Sequence, residues 1–518
     1  TPAPSSQRIT LAEPIPHIMA YNLDVKQNGK YYDFTFYANT NATSGKLLFY
    51  DNTETLKGEV TIDQSITKGE NTIKILTHEI PDGVDMTWKL QLTAPNNEAF
   101  GVIYASTDTL NRAHVAIDNS PESDYFGRMH VADRVTSNTG ECHIYNYDYN
   151  KKVLTDLTCG IGTFVSAARP AVDTEGFVYW SSYGDLYGGI YVMDPNTLIS
   201  KSFFDGEQAQ SGLWTNTYGV EIGSSCCAVS IYGSGANTKL FAMNEDAGET
   251  LVANGYLVYN IGKSDGTIRR TWNEAPSQKI TVADNGAQNF SIVGTSRGAW
   301  LCQNRCKNLN EGGAYSLMFY GNNGTRYFRS VDASLIDGSY GAGMAVSADE
   351  SKLAMINGNN GIMLFDIEWN HNDSEGCEIP TITLHTTYRI PYQAISSMHF
   401  DYAGNLVTMA GTSYATYDQL GNKISEASDM RLVVFSTPTD NNTTTIPARK
   451  RLTVTNKVTL LDTDNNTDVL TPFLSKEKNA SVFRSLTAGM YNTLCLPFDV
   501  PTLEGTPLEN TTVWQYNG

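Results

Sequence analysis

The sequence predicts an all-β protein built around a β-propeller. A pattern recurs through its middle: a short apolar strand, a turn rich in Gly, Asp or Ser, a second strand, a loop and an aromatic third strand. The second strands begin 48 to 63 residues apart, at Met129, Phe177, Leu240, Ala299, Leu353 and Leu406. A β-rich unit that repeats at this period is typical of blades arranged around an axis. Few charged residues (18%), 29 tyrosines and no long helical periodicity favour the same class.

Each blade is predicted to be a four-stranded sheet whose first strand lines the central channel. In the second blade the strands fall at residues 168–173, 177–181, 189–194 and 198–204. Residues 99–106 predict an N-terminal strand that completes the last blade and closes the ring, which removes a sheet edge. The alternative is that this strand begins a seventh blade. A six-bladed ring is favoured, and a seven-bladed ring is the alternative.

Two further β units flank the predicted propeller, which covers residues 97–452. After a Pro/Ser-rich tether at residues 1–9, residues 10–96 carry six or seven short alternating strands between turn signals. That density predicts an immunoglobulin-like or fibronectin-III-like sandwich with Trp88 in its core. Residues 453–518 predict a small C-terminal β module. It lacks an obvious closing strand, which is typical of a module that is truncated at residue 518 and continues beyond it.

Composition bears on partners and location. The formal net charge of −19 argues against nucleic acid, because phosphate binding requires clustered Lys and Arg. No apolar run is long enough for a membrane helix. The opening TPAPSSQRIT has the character of a tether behind a lipid anchor, but no anchoring Cys precedes it in this sequence. We therefore expect an exported, extracellular or outer-membrane-surface protein, with a lipid-anchored tether upstream as an alternative.

Two segments carry a resemblance to known proteins. The run MYNTLCLPFDV at residues 490–500 resembles the W-N-T-L-C-L-P-F signature near the C-termini of surface and secreted proteins of Bacteroidales, with Tyr491 in place of Trp. The segments GMAVSADESKLAMI and HFDYAGNLVTMA resemble propeller repeats of the YVTN/NHL type. The resemblance implies export from a bacterium of that kind. It implies no particular activity.

Candidate ligand-binding residues lie on predicted loops between second and third strands, or on the strands beside them. In a propeller these loops share a face with the connections between blades, where sites usually form. Tyr and Trp with Asn, Asp and Arg suit a sugar or a protein surface. The candidates are Arg134, Trp180, Tyr183, Asp185, Tyr187, Trp300, Arg305, Asn359, Tyr414 and Tyr417.

Candidate catalytic residues are fewer and serve only as an alternative. No nucleophile triad, phosphate loop, dinucleotide fingerprint or HExxH motif is present. If the protein were an enzyme, Arg128, His130, Asp133 and His399 would be the first residues to consider, with the two histidines approaching the channel from adjacent blades. No metal site and no cofactor is predicted.

The sequence therefore favours a non-catalytic binding or adhesion protein whose propeller face recognises a glycan or a protein. A polysaccharide-degrading hydrolase or lyase with its site at the channel mouth is the first alternative. A structural spacer of a surface assembly is the second. The arrangement of side chains distinguishes them, because catalysis needs His130, His399 and a carboxylate within reach of one substrate.

Overall fold

The computed structural model is built almost entirely of β-strands. It describes residues 12–454 with internal gaps, and a few short segments beyond. The gaps are residues 111–112, 135–139, 155–166, 183–188, 205–224, 246–254, 282–286, 307–315, 331–342, 358–360, 373, 393, 412–415, 418–422 and 426–428. Beyond residue 454 the described parts are 457–461, 467, 479–483, 502, 504, 509–510 and 512. Two short 3₁₀ turns interrupt the strands at Thr77–Glu79 and Gly235–Asn237.

The first unit consists of two antiparallel sheets packed face to face. One sheet has the order β1-β2-β5, formed by Ala20–Asn28, Tyr31–Ala38 and Gly69–Leu76. The other contains β3 (Ser44–Tyr50), β4 (Leu56–Thr61) and β6 (Gly83–Thr93). Burial alternates along β2 and β6, because successive side chains of a strand point to opposite faces. The inward faces form the core of this unit.

Aromatic side chains fill that core. Phe34 and Trp88 come from opposite sheets and meet edge to face at 4.9 Å between ring centroids, and both are fully buried. This geometry is favourable for aromatic pairs. The indole nitrogen of Trp88 donates a hydrogen bond to the backbone oxygen of Lys450 at 2.8 Å, so its polar edge is satisfied. The prediction that Trp88 is a core residue is confirmed.

The second sheet is completed by chain from beyond the propeller. Strand β33 (Thr443–Pro447) pairs antiparallel with one edge of β6, in the order β33-β6-β3-β4, and β34 (Leu452–Val454) pairs with β6 as well. The range predicted for the propeller, 97–452, therefore includes a segment that belongs to the sandwich sheet. The propeller is inserted between two strands of the first unit.

Six four-stranded antiparallel sheets form the propeller in the described part of the chain. The first blade has β8 (His114–Ile117), β9 (Met129–Arg134), β10 (Gly140–Tyr145) and β11 (Lys151–Leu154). The second blade has β12 (Ala167–Val172), β13 (Val178–Ser182), β14 (Gly189–Met193) and β15 (Ser200–Ser202). The third blade has β16 (Ser225–Tyr232), β17 (Lys239–Glu245), β18 (Gly255–Asn260) and β19 (Gln278–Thr281). The fourth blade has β20 (Ala287–Gly294), β21 (Gly298–Cys306), β22 (Ser316–Gly321) and β23 (Arg326–Ser330). The fifth blade has β24 (Met344–Val346), β25 (Lys352–Asn357), β26 (Gly361–Asn372) and β27 (Cys377–Arg389).

The sixth blade closes the ring with a strand from the start of the propeller. Its order is β28-β29-β32-β7, where β28 is Ala394–Phe400, β29 is Leu406–Gly411, β32 is Arg431–Ser436 and β7 is Gly101–Ala105. β7 is thus the outer strand of a blade whose other strands lie some 300 residues later. The structure confirms the all-β class, the propeller and the favoured closure by residues 99–106.

Aspartates organise the turns between first and second strands. Oδ1 of Asp401 accepts hydrogen bonds from the backbone nitrogens of Ala403, Gly404 and Asn405 at 2.8 to 3.0 Å. Asp173 accepts two such bonds in the second blade. Gly404 has φ of +105°, a conformation that glycine adopts without steric cost. These turns are therefore fixed by their own side chains, as expected for Asp at such positions.

Asn442 and His17 bind the chain at the junction between the sandwich and the propeller. The side chain of Asn442 accepts from the backbone nitrogen of Ile18 at 2.8 Å and donates to the backbone oxygens of Pro16 and Pro95 at 3.0 and 2.9 Å. His17 contacts the backbone oxygens of Ala403 and Thr437 at 2.9 and 2.7 Å. The Asn442 bonds join segments at the start and end of the first unit, and the His17 contacts join that unit to the sixth blade and the segment that follows it.

The described remainder is short. β35 (Lys457–Leu461) and β36 (Asn479–Phe483) form a parallel pair. A small hairpin joins β30 (Thr416–Tyr417) and β31 (Lys423–Ser425) within the sixth blade. The NTLCLPF segment lies outside the described residues.

We predict that Asn442→Ala destabilises the protein by about 2 kcal/mol or more, because it leaves buried backbone groups without partners. Thermal or urea unfolding, followed by circular dichroism, measures the change. Asn441→Ala is the matched control, because the side chain of Asn441 is exposed whereas that of Asn442 is buried. Equal effects of the two substitutions would contradict the role assigned to Asn442.

Candidate ligand-binding site in the propeller channel

The central channel contains a cavity of about 410 Å³ at one end. All six inner strands contribute to its wall, because each runs along the channel before turning into the second strand of its blade. The wall includes Asn119, Ser230, Ser291, Thr295 and His399. Apolar side chains complete it, namely Ile117, Val229, Ile231, Val293, Met344, Val346, Met398 and Phe400. The cavity is of the size of pockets that bind small molecules, about 300 to 1,000 Å³.

Hydroxyl groups on the inner strands join neighbouring blades. Oγ of Ser230 accepts a hydrogen bond from the backbone nitrogen of Gly294 at 3.0 Å, and Oγ of Ser397 accepts one from Val115 at 2.7 Å. A serine hydroxyl that accepts one bond can still donate another. The wall therefore presents uncharged polar groups at positions fixed by the blades.

The two carboxylates at the cavity wall are already engaged. Glu350 accepts from the backbone nitrogen and hydroxyl of Ser296 at 2.6 and 2.9 Å and pairs with Arg297 at 2.6 Å. Asp173 holds its own turn and lies 3.2 Å from a guanidinium nitrogen of Arg270. Both carboxylates are therefore held by protein partners.

His399 contributes an imidazole to the cavity wall. Burial lowers its pKa to about 4, and a hydrogen bond to the backbone of Val115 offsets this only in part. The imidazole is therefore uncharged at neutral pH. It offers a neutral polar contact to a ligand.

The cavity lies at the opposite end of the channel from the predicted face. It is formed where first strands turn into second strands, whereas the prediction used loops between second and third strands. Most of those loops lie outside the described residues. Five of the predicted ligand contacts therefore lie outside the described residues, namely Tyr183, Asp185, Tyr187, Asn359 and Tyr414. Arg134, Arg305 and Tyr417 lie in strands β9, β21 and β30, but their side chains are outside the described set.

Trp180 and Trp300 require a correction. Both side chains are fully buried, Trp180 among Tyr191 and Met193 in the interface between the first two blades, and Trp300 against Phe319 at 5.1 Å between ring centroids. A Trp in a strand packs equally well against a neighbouring blade as against a ligand. These two rings form the core and do not face a ligand surface.

The four candidate catalytic residues do not form one group. His130 is fully buried, and it projects from the opposite face of β9 to Asp133, because the two are three residues apart on one strand. Burial lowers the pKa of His130 to about 3, so this ring is neutral. Arg128 lies over the ring of Tyr125 and donates to the backbone oxygen of Pro195. His399 alone of the four lines the cavity.

Sequence reasoning missed the serines of the inner strands. Ser230, Ser291 and Ser347 line the cavity in three successive blades, and Ser397 does so in the sixth. The signal was a serine recurring among small apolar residues in the first strand, as in AVSIY, FSIV and AVSAD. A serine in such a strand is a weak marker of a site, because aromatic and charged residues are more typical of ligand contacts.

The fold defines an all-β protein in which a six-bladed propeller is joined to a two-sheet unit. No protein-family model and no curated protein matches the sequence significantly. Among solved structures, the chain is similar to a structural-genomics protein of unknown function from Bacteroides thetaiotaomicron, with 11% identity and a TM-score of 0.35. The match covers 80% of this chain and 98% of that one.

Two propeller domains are also similar. The WD40 β-propeller domain of Doa1 has 10% identity and a TM-score of 0.34, over 66% of this chain and 98% of that one. The propeller domain of Cps50 (Swd1) from Myceliophteria thermophila has 9% identity and a TM-score of 0.37, over 65% and 100%. Separately, none of the described helices is long and apolar enough to cross a bilayer.

We predict a pH dependence of stability from Asp118 and Asp173, whose carboxyl groups interact electrostatically, with Asp173 at the cavity wall. Burial, the largest cause, raises the pKa of each to about 6. A carboxyl whose pKa is higher in the folded state than in the unfolded chain favours folding at low pH and loses that contribution as pH rises through the folded value. The free energy of unfolding should therefore fall between about pH 4 and pH 6.5, by on the order of 3 kcal/mol for each group.

Urea unfolding at a series of pH values measures this slope. Asp173→Asn should flatten it, because the amide does not titrate. Asp124→Asn, at an exposed position, should leave it unchanged. A wild-type slope that Asp173→Asn does not alter would contradict the prediction.

Proposed function

We propose that this chain is an exported, non-catalytic binding protein that captures an uncharged glycan in the propeller channel. One observation carries the proposal: the cavity wall combines neutral hydrogen-bonding groups with apolar side chains, and both of its carboxylates are engaged elsewhere. A sugar needs this combination, since its ring faces are apolar and its hydroxyls require donors and acceptors.

Charge supports an uncharged ligand. The chain carries a formal net charge of −19, which repels anions at a distance. The nearby guanidinium groups of Arg270 and Arg297 are paired with carboxylates. No described cation of the wall remains to pair with a sulfate, a phosphate or a uronic acid.

The separation of the candidate catalytic residues supports binding over hydrolysis. A glycosidase needs two carboxyl groups flanking one bond, about 5 to 10 Å apart. At the cavity wall the carboxylates of Asp173 and Glu350 are held by turn backbone and arginine. The neutral ring of His399 has no carboxylate partner there among the described residues.

Cell-surface display and adhesion belong to the same proposal. The supports are the tether-like opening, the resemblance of residues 490–500 to a signature of exported proteins, and the low content of charged residues. In this arrangement the sandwich presents the propeller.

We expect the purified protein to bind neutral oligosaccharides on a glycan array without releasing reducing-end or unsaturated products. Affinity should change little between 50 and 500 mM NaCl, because no charge pair crosses the interface. Calorimetry with the best array ligand at both salt concentrations measures this. Product release, or a steep loss of affinity with salt, would contradict the proposal. Binding to proteins and to no glycan would contradict a glycan ligand and indicate a protein ligand instead.

A pair of substitutions at one position localises the ligand. Val346 lies on the cavity wall and is half-buried. Val346→Trp should occlude the cavity and abolish binding, whereas Val346→Ala should bind within a fewfold of the wild type. If both variants bind equally while remaining folded by circular dichroism, the ligand binds elsewhere on the protein.

A further inference from the structure

A second cluster of polar side chains lies in the first blade, away from the cavity wall. In the antiparallel pair β9–β10, Glu141 is directly opposite Asp133, and His143 follows two residues later on β10. Paired residues, and residues two apart on a strand, share one face of the sheet. The register alone therefore places one imidazole and two carboxylates on the same face.

The distances are short. Nε2 of His143 lies 3.6 Å from Oδ2 of Asp133 and 3.5 Å from Oε2 of Glu141. One ligand atom from each residue lies within 4.8 Å of both others. In a tetrahedral site with bonds of about 2.1 Å, ligand atoms are about 3.4 Å apart. The spacing therefore suits one small cation bound by all three groups.

His143 gives an independent indication. Its side chain is only 4% exposed, and neither ring nitrogen makes a hydrogen bond within the described part of the chain. A buried polar group without such a bond is costly. Here Nε2 points between two carboxylate oxygens at distances longer than a good hydrogen bond. A shared cation would satisfy the ring and remove the repulsion between the two paired carboxylates.

We propose that Asp133, Glu141 and His143 form a site for a divalent transition-metal ion, with Zn²⁺ as the preferred occupant. One nitrogen and two oxygens fit the ligand preference of zinc. Calcium takes six to eight oxygens and magnesium prefers six, so three ligands that include a nitrogen suit neither ion. Three protein ligands leave a fourth position for water or another group.

The position of the site indicates what the metal does. The cluster lies at the ends of β9 and β10, beside the connection between the second and third strands of the first blade. The side chain of Glu141 is 33% exposed, which provides a route for the ion, whereas Asp133 and His143 are nearly buried. The ion would tie the two strands together at the channel face opposite the cavity.

The test uses the full chain, stripped with a chelator and dialysed against Zn²⁺. Metal analysis should find one more Zn²⁺ per chain in the wild type than in Glu141→Gln or His143→Gln. Calorimetry with Zn²⁺ should show affinity weakened more than about 100-fold in either variant, since even outer-shell partners of a metal account for 10- to 100-fold. Co²⁺ in place of Zn²⁺ should give visible absorption bands of a four- or five-coordinate site in the wild type alone.

His385→Gln is the matched control. His385 also faces a carboxylate, Asp366 at 3.3 Å, but it is exposed and has one such partner in the described structure rather than two. This variant should keep the wild-type stoichiometry. Glu141→Gln, at a partly exposed position, keeps the test valid if His143→Gln fails to fold. A wild type that retains no Zn²⁺, or retains as much as Glu141→Gln, would overturn the proposal.

Discussion

The structure depends on one strand pair, that between β7 and β32. A ring of blades has no natural end, and an unpaired outer strand in the last blade would expose backbone donors and acceptors. The pairing of Gly101–Ala105 with Arg431–Ser436 joins the first and last parts of the propeller into one sheet. Every other blade is a local hairpin series, whereas this pairing places a strand from the start of the propeller in its last blade. The position of the channel follows from that closure.

Closure also fixes the chemistry of the channel. Six inner strands converge there, and their side chains must be small or apolar to fit, which explains the run of Ala, Val, Ile and Ser along the wall. Hydrogen bonds such as that from the Val115 backbone to Ser397 cross from one blade to the next. Aspartates that cap the turns, Asp173 and Asp401 among them, set the rim. The polar groups are thus positioned by the fold itself and need no mobile loop.

The sequence predicted the blades well because each is a local unit with period-2 alternation and its own turn residues. It also predicted the closing strand, since residues 99–106 read as a single strand-like segment just before the sequence of the first blade. The sequence did not predict contacts between segments that are far apart along the chain. Thr443–Pro447 carries no strand signal strong enough to separate it from a linker, and its partner β6 is far away in sequence. Trp180 looked like a ligand contact because strand residues do not reveal which neighbour they face. The relation between Asp133 and Glu141 depends on hairpin register, which spacing alone does not fix.

The return of the chain to β6 has a consequence for the order of folding. The hydroxyls of Thr93 and Thr443 are 3.0 Å apart but 350 residues apart in sequence. As the polypeptide emerges from the ribosome, the first six strands are available long before β33. One edge of the first unit must therefore wait, open to mispairing, until the whole propeller has been made. The sheet of the first unit is completed only after synthesis of the propeller, because β33 and β34 both follow the sixth blade in the sequence.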